Sequence, residues 1–364
     1  MKALVIDRSL VRHNISVVKA RADGTPIYAV VKGDGYGLGL LELAKILREE
    51  GVSRFAITEP GDAVALRSAG FTEEEILMLR PTADPEELDV LMDQNVVATI
   101  ASHDDAVALN GLAERRGTVA EAHIKLDTGM GRYGFLPQEL DKILSLYQYM
   151  PNLAFTGIYT HFYAAFGRER EVRAQVELFD GALARLRARG IDPGTVHAAN
   201  SSCLFRFDFA RYDAVRVGSA FTGRLPTGGK YGLKPVGYIE SELTELRWLP
   251  KGPTVGYGGA YRTRRPTRIA VIPVGYYDGY CMEKAKDSFR ALDVLHYIWA
   301  AVKALLARRR LTVTIGEAHA RVVGHVGMIH TTCDVTKLSC SPGDVVKLPC
   351  SPLYTQSLPR KYVE

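Results

Sequence analysis

Alternation is the feature that most limits how this chain can fold. Eight short apolar runs rich in Val, Ile, Thr and Tyr fill roughly the first 220 residues: "PIYAVVK", "RFAIT", "ILMLR", "VVATIAS", "AHIKLD", "FTGIYTH", "GTVHAA" and "AVRVG". Segments of helical period lie between them, from "LLELAKILREE" through "DPEELDVLMDQ" to "EREVRAQVELFDGALARLRARG" and "SSCLFRFDFARY". Nearly continuous apolar strands separated by helices belong to a parallel sheet covered on both faces. Eight of them suggest a closed (β/α)₈ barrel, with an open doubly wound sheet as the alternative. After about residue 225 the helical pattern fades. Strand-like segments punctuated by Gly and Pro take over, among them "TELRWL", "PTVGYGGAY", "TRIAVIPVGYYDGY", "LTVTI", "ARVVGHVGM" and "DVVKLPC". The expected organisation is therefore an α/β barrel over residues 1–228 and a mainly β domain over 229–364. A helical insertion around 285–310 interrupts the second domain; Phe289, Leu292, Leu295, Ile298, Trp299, Val302 and Leu306 share one face, read as packing on the β domain.

Composition narrows the function classes. At 364 residues, 47% apolar and 24% charged, the chain has the make-up of a soluble globular protein. Its net charge of +5 is spread out apart from "ARRR" at 307–310, and no basic stripe is interleaved with aromatics, so no nucleic-acid partner is expected. No apolar run is long enough to span a bilayer, and the N-terminus turns polar too soon for a signal peptide, so no membrane partner is expected. Five cysteines without metal-ligand spacing read as reduced thiols in the cytoplasm.

In a barrel of this kind, reactive groups sit at the C-terminal ends of the strands. The first run ends in Lys32. The fifth leads into "KLDTGMGRYGF" with Lys125, Asp127, Met130 and Arg132, and the sixth ends in His161. The seventh ends in "HAANSS" with His197, Asn200 and Ser201, and the eighth carries Arg216, Gly218 and Ser219. A lysine in a partly dry mouth has a lowered pKa and forms Schiff bases. Hydroxyls and backbone amides after strands seven and eight are the usual phosphate cradle of the fold, a role that suits Ser201, Gly218 and Ser219. Phosphate plus Schiff-base lysine points to pyridoxal 5'-phosphate. No His and carboxylate spacing supports a metal. "GMGRYG" at 129–134 matches a dinucleotide fingerprint, but no clear acidic partner ends a following strand and Arg132 would sit inside the loop.

The chain resembles the alanine racemases, pyridoxal-phosphate enzymes of the barrel type, over nearly its whole length. "AVVKGDGYGLG", "IKLDTGMGRYGF", "GIYTHF", "HAANSS", "AVRVGSAFTG", "TVGYGGAYR", "IPVGYYDGY", "VGHVGM" and "PRKY" follow in the family's order. The resemblance implies that Lys32 holds the cofactor and that Tyr36, Ser201, Gly218 and Ser219 bind its phosphate. It implies that Arg216 faces the ring nitrogen, oriented by His197, with Asn200 also at the cofactor. Arg132 would reach the cofactor's phenolic oxygen and the substrate carboxylate. Lys125 matches a position often carbamylated in the family. Tyr257 would be the second catalytic base beside Lys32, positioned by His161 and contributed by the other subunit of a homodimer with shared active sites. Tyr276 and the backbone near Met328 would line the substrate end. The implied reaction is two-base racemisation of a small amino acid.

Departures from the family's pattern cluster at substrate access. Leu38, Tyr277, Met282, Ile329 and Gln356 differ from the usual residues, which keeps serine beside alanine as a substrate. Arg216 argues against a decarboxylase, whose relatives place a glutamate there, and "TVGYGGAYR" argues against a non-catalytic barrel that only carries the cofactor. A Schiff-base aldolase lacking any cofactor is the third rival.

Overall fold

The computed structural model describes residues 2–227, 229, 231–284, 290–307 and 310–364. The chain divides into two compact units, one formed by Ser9–Pro235 and the other by Met1–Arg8 together with Val236–Glu364. The division differs from the expected boundary in two ways. The break lies at Pro235 rather than at Gly228, which falls outside the described residues, and the first eight residues leave the barrel for the β unit.

In the barrel unit the eight apolar runs all become strands: β2 (Ile27–Val30), β3 (Arg54–Ile57), β4 (Glu75–Met78), β5 (Ala98–Ile100), β6 (Ala120–Lys125), β7 (Leu153–Tyr159), β8 (Thr195–His197) and β9 (Val215–Val217), with β1 (Ala3–Asp7) preceding them in the chain. They form two four-stranded parallel sheets, ordered β4-β3-β2-β9 and β5-β6-β7-β8. Parallel bridges Leu77–Val97 and His197–Ala214 join the two sheets at both seams and close the ring. The closed barrel stands, and the open sheet is excluded because no edge is left unpaired between β4 and β5 or between β8 and β9. Its outer helices bury one stripe each; the Leu40–Glu49 helix turns Leu40, Leu43, Ala44, Ile46 and Leu47 inward.

Register sets what fills the interior. Across β6, β7 and β8 it aligns Lys125 with Tyr159 and Tyr159 with His197. Across β2 and β9 it aligns Tyr28 with Arg216. An interior built from these side chains is polar toward the mouth, while Val30, Ala56, Leu77, Val97 and Ala214 pack apolarly around Tyr28.

The β unit is a nine-stranded sheet. After β10 (Tyr238–Glu242), β11 (Glu245–Leu249), β12 (Thr254–Val255), β13 (Tyr261–Arg262), β14 (Thr267–Ile272), β15 (Thr312–Ile315), β16 (Ala318–Val322), β17 (Thr331–Asp334), β18 (Val345–Pro349) and β19 (Arg360–Val363), the sheet order is β11-β14-β17-β16-β15-β18-β10-β1-β19. β12 and β13 form a separate hairpin. The insertion is a helix, Ala291–Leu306, but it does not pack as expected: none of its residues is buried. Phe289 of the expected face lies outside the described residues.

Candidate active site

The strand-end residues converge on one cavity of ≈ 400 Å³ in the barrel unit. Lys32, Tyr36, Lys125, Arg132, His161, Asn200, Ser201, Arg216, Gly218 and Ser219 line it, with Arg80 and Tyr133 added by the structure. Among the described residues the lining holds five basic side chains, Lys32, Arg80, Lys125, Arg132 and Arg216, and no Asp or Glu. Arg80 is paired with Glu87 at 2.8 and 3.0 Å, while Lys32, Lys125, Arg132 and Arg216 repel one another and suit an anionic ligand.

Lys32 opens a left-handed turn. Gly33, Asp34 and Gly35 have φ of 61°, 51° and 63°, and Tyr36 follows at 56°. Two of these residues are not glycine, and each such residue costs roughly 1–2 kcal/mol. Asp34 recovers part of it by accepting the Leu40 amide at 2.8 Å, which ties the turn to the next helix. The turn carries the Tyr36 hydroxyl against Gly218, where any Cβ would overlap it. Burial raises the Tyr36 phenol to about 12, so it stays a donor at neutral pH. Ser201 Oγ accepts the Gly218 amide at 3.1 Å, joining the ends of β8 and β9 beside it. Burial, and then the charge of Arg132, lowers the Lys32 amine below its usual range.

The "DTGMGRYG" loop is folded around its own aspartate. Asp127 accepts the amides of Gly129, Met130, Gly131 and Arg132 at 2.8, 2.7, 2.8 and 3.2 Å. Amides committed to Asp127 are not available to a pyrophosphate, which removes the dinucleotide reading on physical grounds. At Gly134, φ is 119° and a Cβ would lie 2.8 Å from the Asp127 nitrogen, so only glycine closes the loop. The loop holds Arg132 at the mouth. Lys125, beneath it, is buried and held down to about 7, first by desolvation and then by Arg216 and Arg132.

Arg216 is buried among acceptors. It donates to His197 Nδ1 at 2.7 Å, to Thr160 O at 2.6 Å, and to His197 O and Ala198 O at 3.1 Å each. Burial lowers it only to about 10, so it remains cationic near neutrality. A guanidinium cannot accept, so His197 Nδ1 must be unprotonated. Desolvation holds His197 well below its usual pKa, and the neutral ring therefore carries its proton on Nε2. That proton is donated to His123 Nδ1 at 2.9 Å. Tyr159 and Tyr28 stack on the His197 ring with centroids at 4.8 and 5.1 Å. His197 thus stands behind the cavity and orients Arg216, and His161 approaches the same guanidinium at 3.5 Å. His123 was missed by sequence reasoning, although "AHIKLD" puts it two residues before Lys125 on the same strand face. Gly157 opposite it is obligatory: a Cβ there would sit 2.6 Å from the His123 ring.

Tyr257, Tyr276 and Met328 belong to the β unit, where they gather on one surface. Tyr276 N donates to Gly327 O at 3.1 Å, and a Cβ on Gly327 would lie 3.7 Å from the Tyr257 ring. The turn between β12 and β13 needs Gly256, Gly258 and Gly259 at positive φ and leaves Tyr257 77% exposed. Among the residues that depart from the family's pattern, Leu38 is buried in the barrel core, while Tyr277, Met282, Ile329 and Gln356 are exposed on the β unit.

These features define a (β/α)₈ barrel protein with a cationic, lysine-centred mouth, joined in sequence to a β unit that displays a tyrosine. Residues 6–226 match the model of the alanine racemase N-terminal domain and residues 236–357 that of the C-terminal domain. An alanine racemase of Carboxydothermus hydrogenoformans is 36% identical over 275 residues, 74% of each chain, and one of Syntrophobacter fumaroxidans is 33% identical over 93% of this chain and 85% of its own. Among solved structures, the alanine racemase of E. faecalis has a TM-score of 0.81 at 26% identity, covering 100% of this chain and 98% of that one. That of Bacillus anthracis with bound L-Ala-P has a TM-score of 0.78 at 25% identity, covering 100% and 95%. The chain belongs to the alanine racemase family.

Proposed function

We propose that the protein is a pyridoxal-phosphate-dependent racemase that interconverts L- and D-alanine. The observation that carries this reading is the barrel mouth, where Lys32, its pKa lowered, shares a cavity with Arg80, Lys125, Arg132 and Arg216 and with no Asp or Glu among the described lining residues. The residues fit the cofactor. Gly218 has no Cβ to displace the Tyr36 hydroxyl, the Tyr36 phenol stays protonated there as a donor, and Ser201, Ser219 and Lys32 line the same cavity. Once bound, pyridoxal phosphate supplies a ring that draws electrons from the substrate Cα and makes its proton acidic.

The remaining work falls to the chain. Tyr36, Ser201 and the backbone of Gly218 and Ser219 hold the phosphate. Arg132 offers its guanidinium to the substrate carboxylate, with Asp127 fixing the loop that carries it. Lys32, its pKa already lowered, exchanges a proton with Cα on one face. Tyr257 does so on the other, contributed by the second subunit of a homodimer; its exposure on its own unit supports this. Arg216 remains protonated and releases no proton, which limits charge spread into the ring and favours return of the proton to Cα over transamination. Lys125 at about 7 has a neutral fraction able to add CO₂, and the carbamate would offset Arg132 and Arg216. Five cysteines, none of them in a disulfide, are consistent with a reducing compartment such as the cytoplasm.

Serine is the second reading, supported by the exposed amide of Gln356, which donates to Leu353 O at 3.3 Å. Incubation with L-Ala, L-Ser and a panel of L-amino acids, with products resolved by chiral chromatography, tests both. D-Ala is expected as the fastest product. D-Ser in excess would move the specificity, and no racemisation of any amino acid would overturn the proposal. Borohydride reduction and peptide mapping should place the cofactor on Lys32.

A further inference from the structure

The Ala291–Leu306 helix has no buried residue. Its side chains follow a sharp division. At 100° per residue, Leu292, Val294, Leu295, Ile298, Trp299, Val302, Leu305 and Leu306 cover nearly half of the circumference, while Asp293, His296 and Lys303 fall on the other side. The apolar side is open: Trp299 is 65% and Leu305 78% exposed. A soluble surface rarely shows so large a continuous apolar patch without something to cover it.

Charge selects the cover. From Arg290 to Arg310 the sequence carries Arg290, Lys303, Arg308, Arg309 and Arg310 against the single acid Asp293. In the sequence, basic residues stand on both sides of the apolar stretch. Pairing with a second copy would bring together two segments that each carry five basic residues and one acid, which like-charge repulsion disfavours. An anionic bilayer surface satisfies both features, taking the apolar face into its acyl boundary and the basic residues at its headgroups. Trp on the apolar side suits that interface. Sixteen residues span about 24 Å, short of the roughly 30 Å hydrocarbon core, so the helix would lie in the surface and not cross.

We propose that the Ala291–Leu306 helix is an interfacial anchor that docks this enzyme on membranes rich in anionic phospholipid. The inference is independent of the barrel chemistry and departs from the expectation of no membrane partner.

The test uses the full-length holoenzyme and vesicles of phosphatidylglycerol with phosphatidylcholine, or of phosphatidylcholine alone. In co-sedimentation at low salt, at least tenfold more protein should partition to the anionic vesicles, and raising the salt should reverse part of it. Trp248→Phe leaves Trp299 as the sole indole, and its emission should shift to the blue on binding. Ile298→Asp with Leu305→Asp, both at exposed positions, should abolish sedimentation and leave racemisation unchanged. The proposal is overturned if the wild type ignores anionic vesicles, or if the double variant still binds them. It is equally overturned if, without lipid, the double variant loses a subunit by light scattering, which would assign the face to a second copy.

Discussion

At the scale of single residues, the chemistry rests on a few groups whose protonation is set by their neighbours. Arg216 fixes the His197 tautomer, and His197 passes the constraint to His123. His123→Ala would leave the His197 Nε2–H without its acceptor in a buried place, at a cost of about 1–3 kcal/mol; urea unfolding should show that loss. His123→Asn, whose side-chain carbonyl can accept, should lose less. Lys125 offers a pH test. Its folded pKa of about 7 lies below the 10.5 of an unperturbed lysine. Between those values the unfolded chain binds a proton that folded Lys125 has released, so stability rises as pH climbs from about 7 to 10.5. In CO₂-free buffer, the cofactor-free protein should gain up to about 1.4 kcal/mol per pH unit from this group. Lys125→Met should flatten the rise; an unchanged slope would mean that the amine is not held down.

Elements position these groups, and the two glycine-rich turns do so differently. The Lys32–Tyr36 turn is left-handed and presses the Tyr36 hydroxyl on Gly218, so Gly218→Ala must push the phenol out of its place. Cofactor titration followed by visible absorbance should show at least about tenfold weaker binding, the equivalent of 1.4 kcal/mol. The 128–134 loop is instead organised from within by Asp127. Asp127→Ala strips acceptors from four amides at once and should raise the KM for alanine more than it weakens cofactor binding, because Arg132 loses its frame while Tyr36 and Ser201 keep theirs. Equal damage to both constants would argue against that division of labour.

For the whole molecule, the proposed homodimer makes a quantitative prediction. Lys32→Ala and Tyr257→Phe subunits are each inactive if both groups are needed. Unfolded together and reassembled, they should recover about a quarter of wild-type activity, since random pairing makes half of the dimers mixed, with one intact site of two. No recovery would place Lys32 and Tyr257 of one chain in the same site.

The sequence by itself determined the eight strands, the polar residue that ends each of the functional ones, and the change to β structure beyond the barrel. Local signals suffice for these, because apolar runs and helical periods are written in consecutive residues and the fold places strand ends on one side. Only the tertiary structure decided the rest. β1 was invisible as a partner for β10 and β19 because pairing across more than 200 residues leaves no local mark. β10 and β19, with "YIESE" and "RKYV", are too polar to stand out as strands. His123 gained its role from a bond to a strand 74 residues away. The inserted helix had an apolar face in the sequence, but whether that face was covered depended on what lies next to it in space, and periodicity holds no such information.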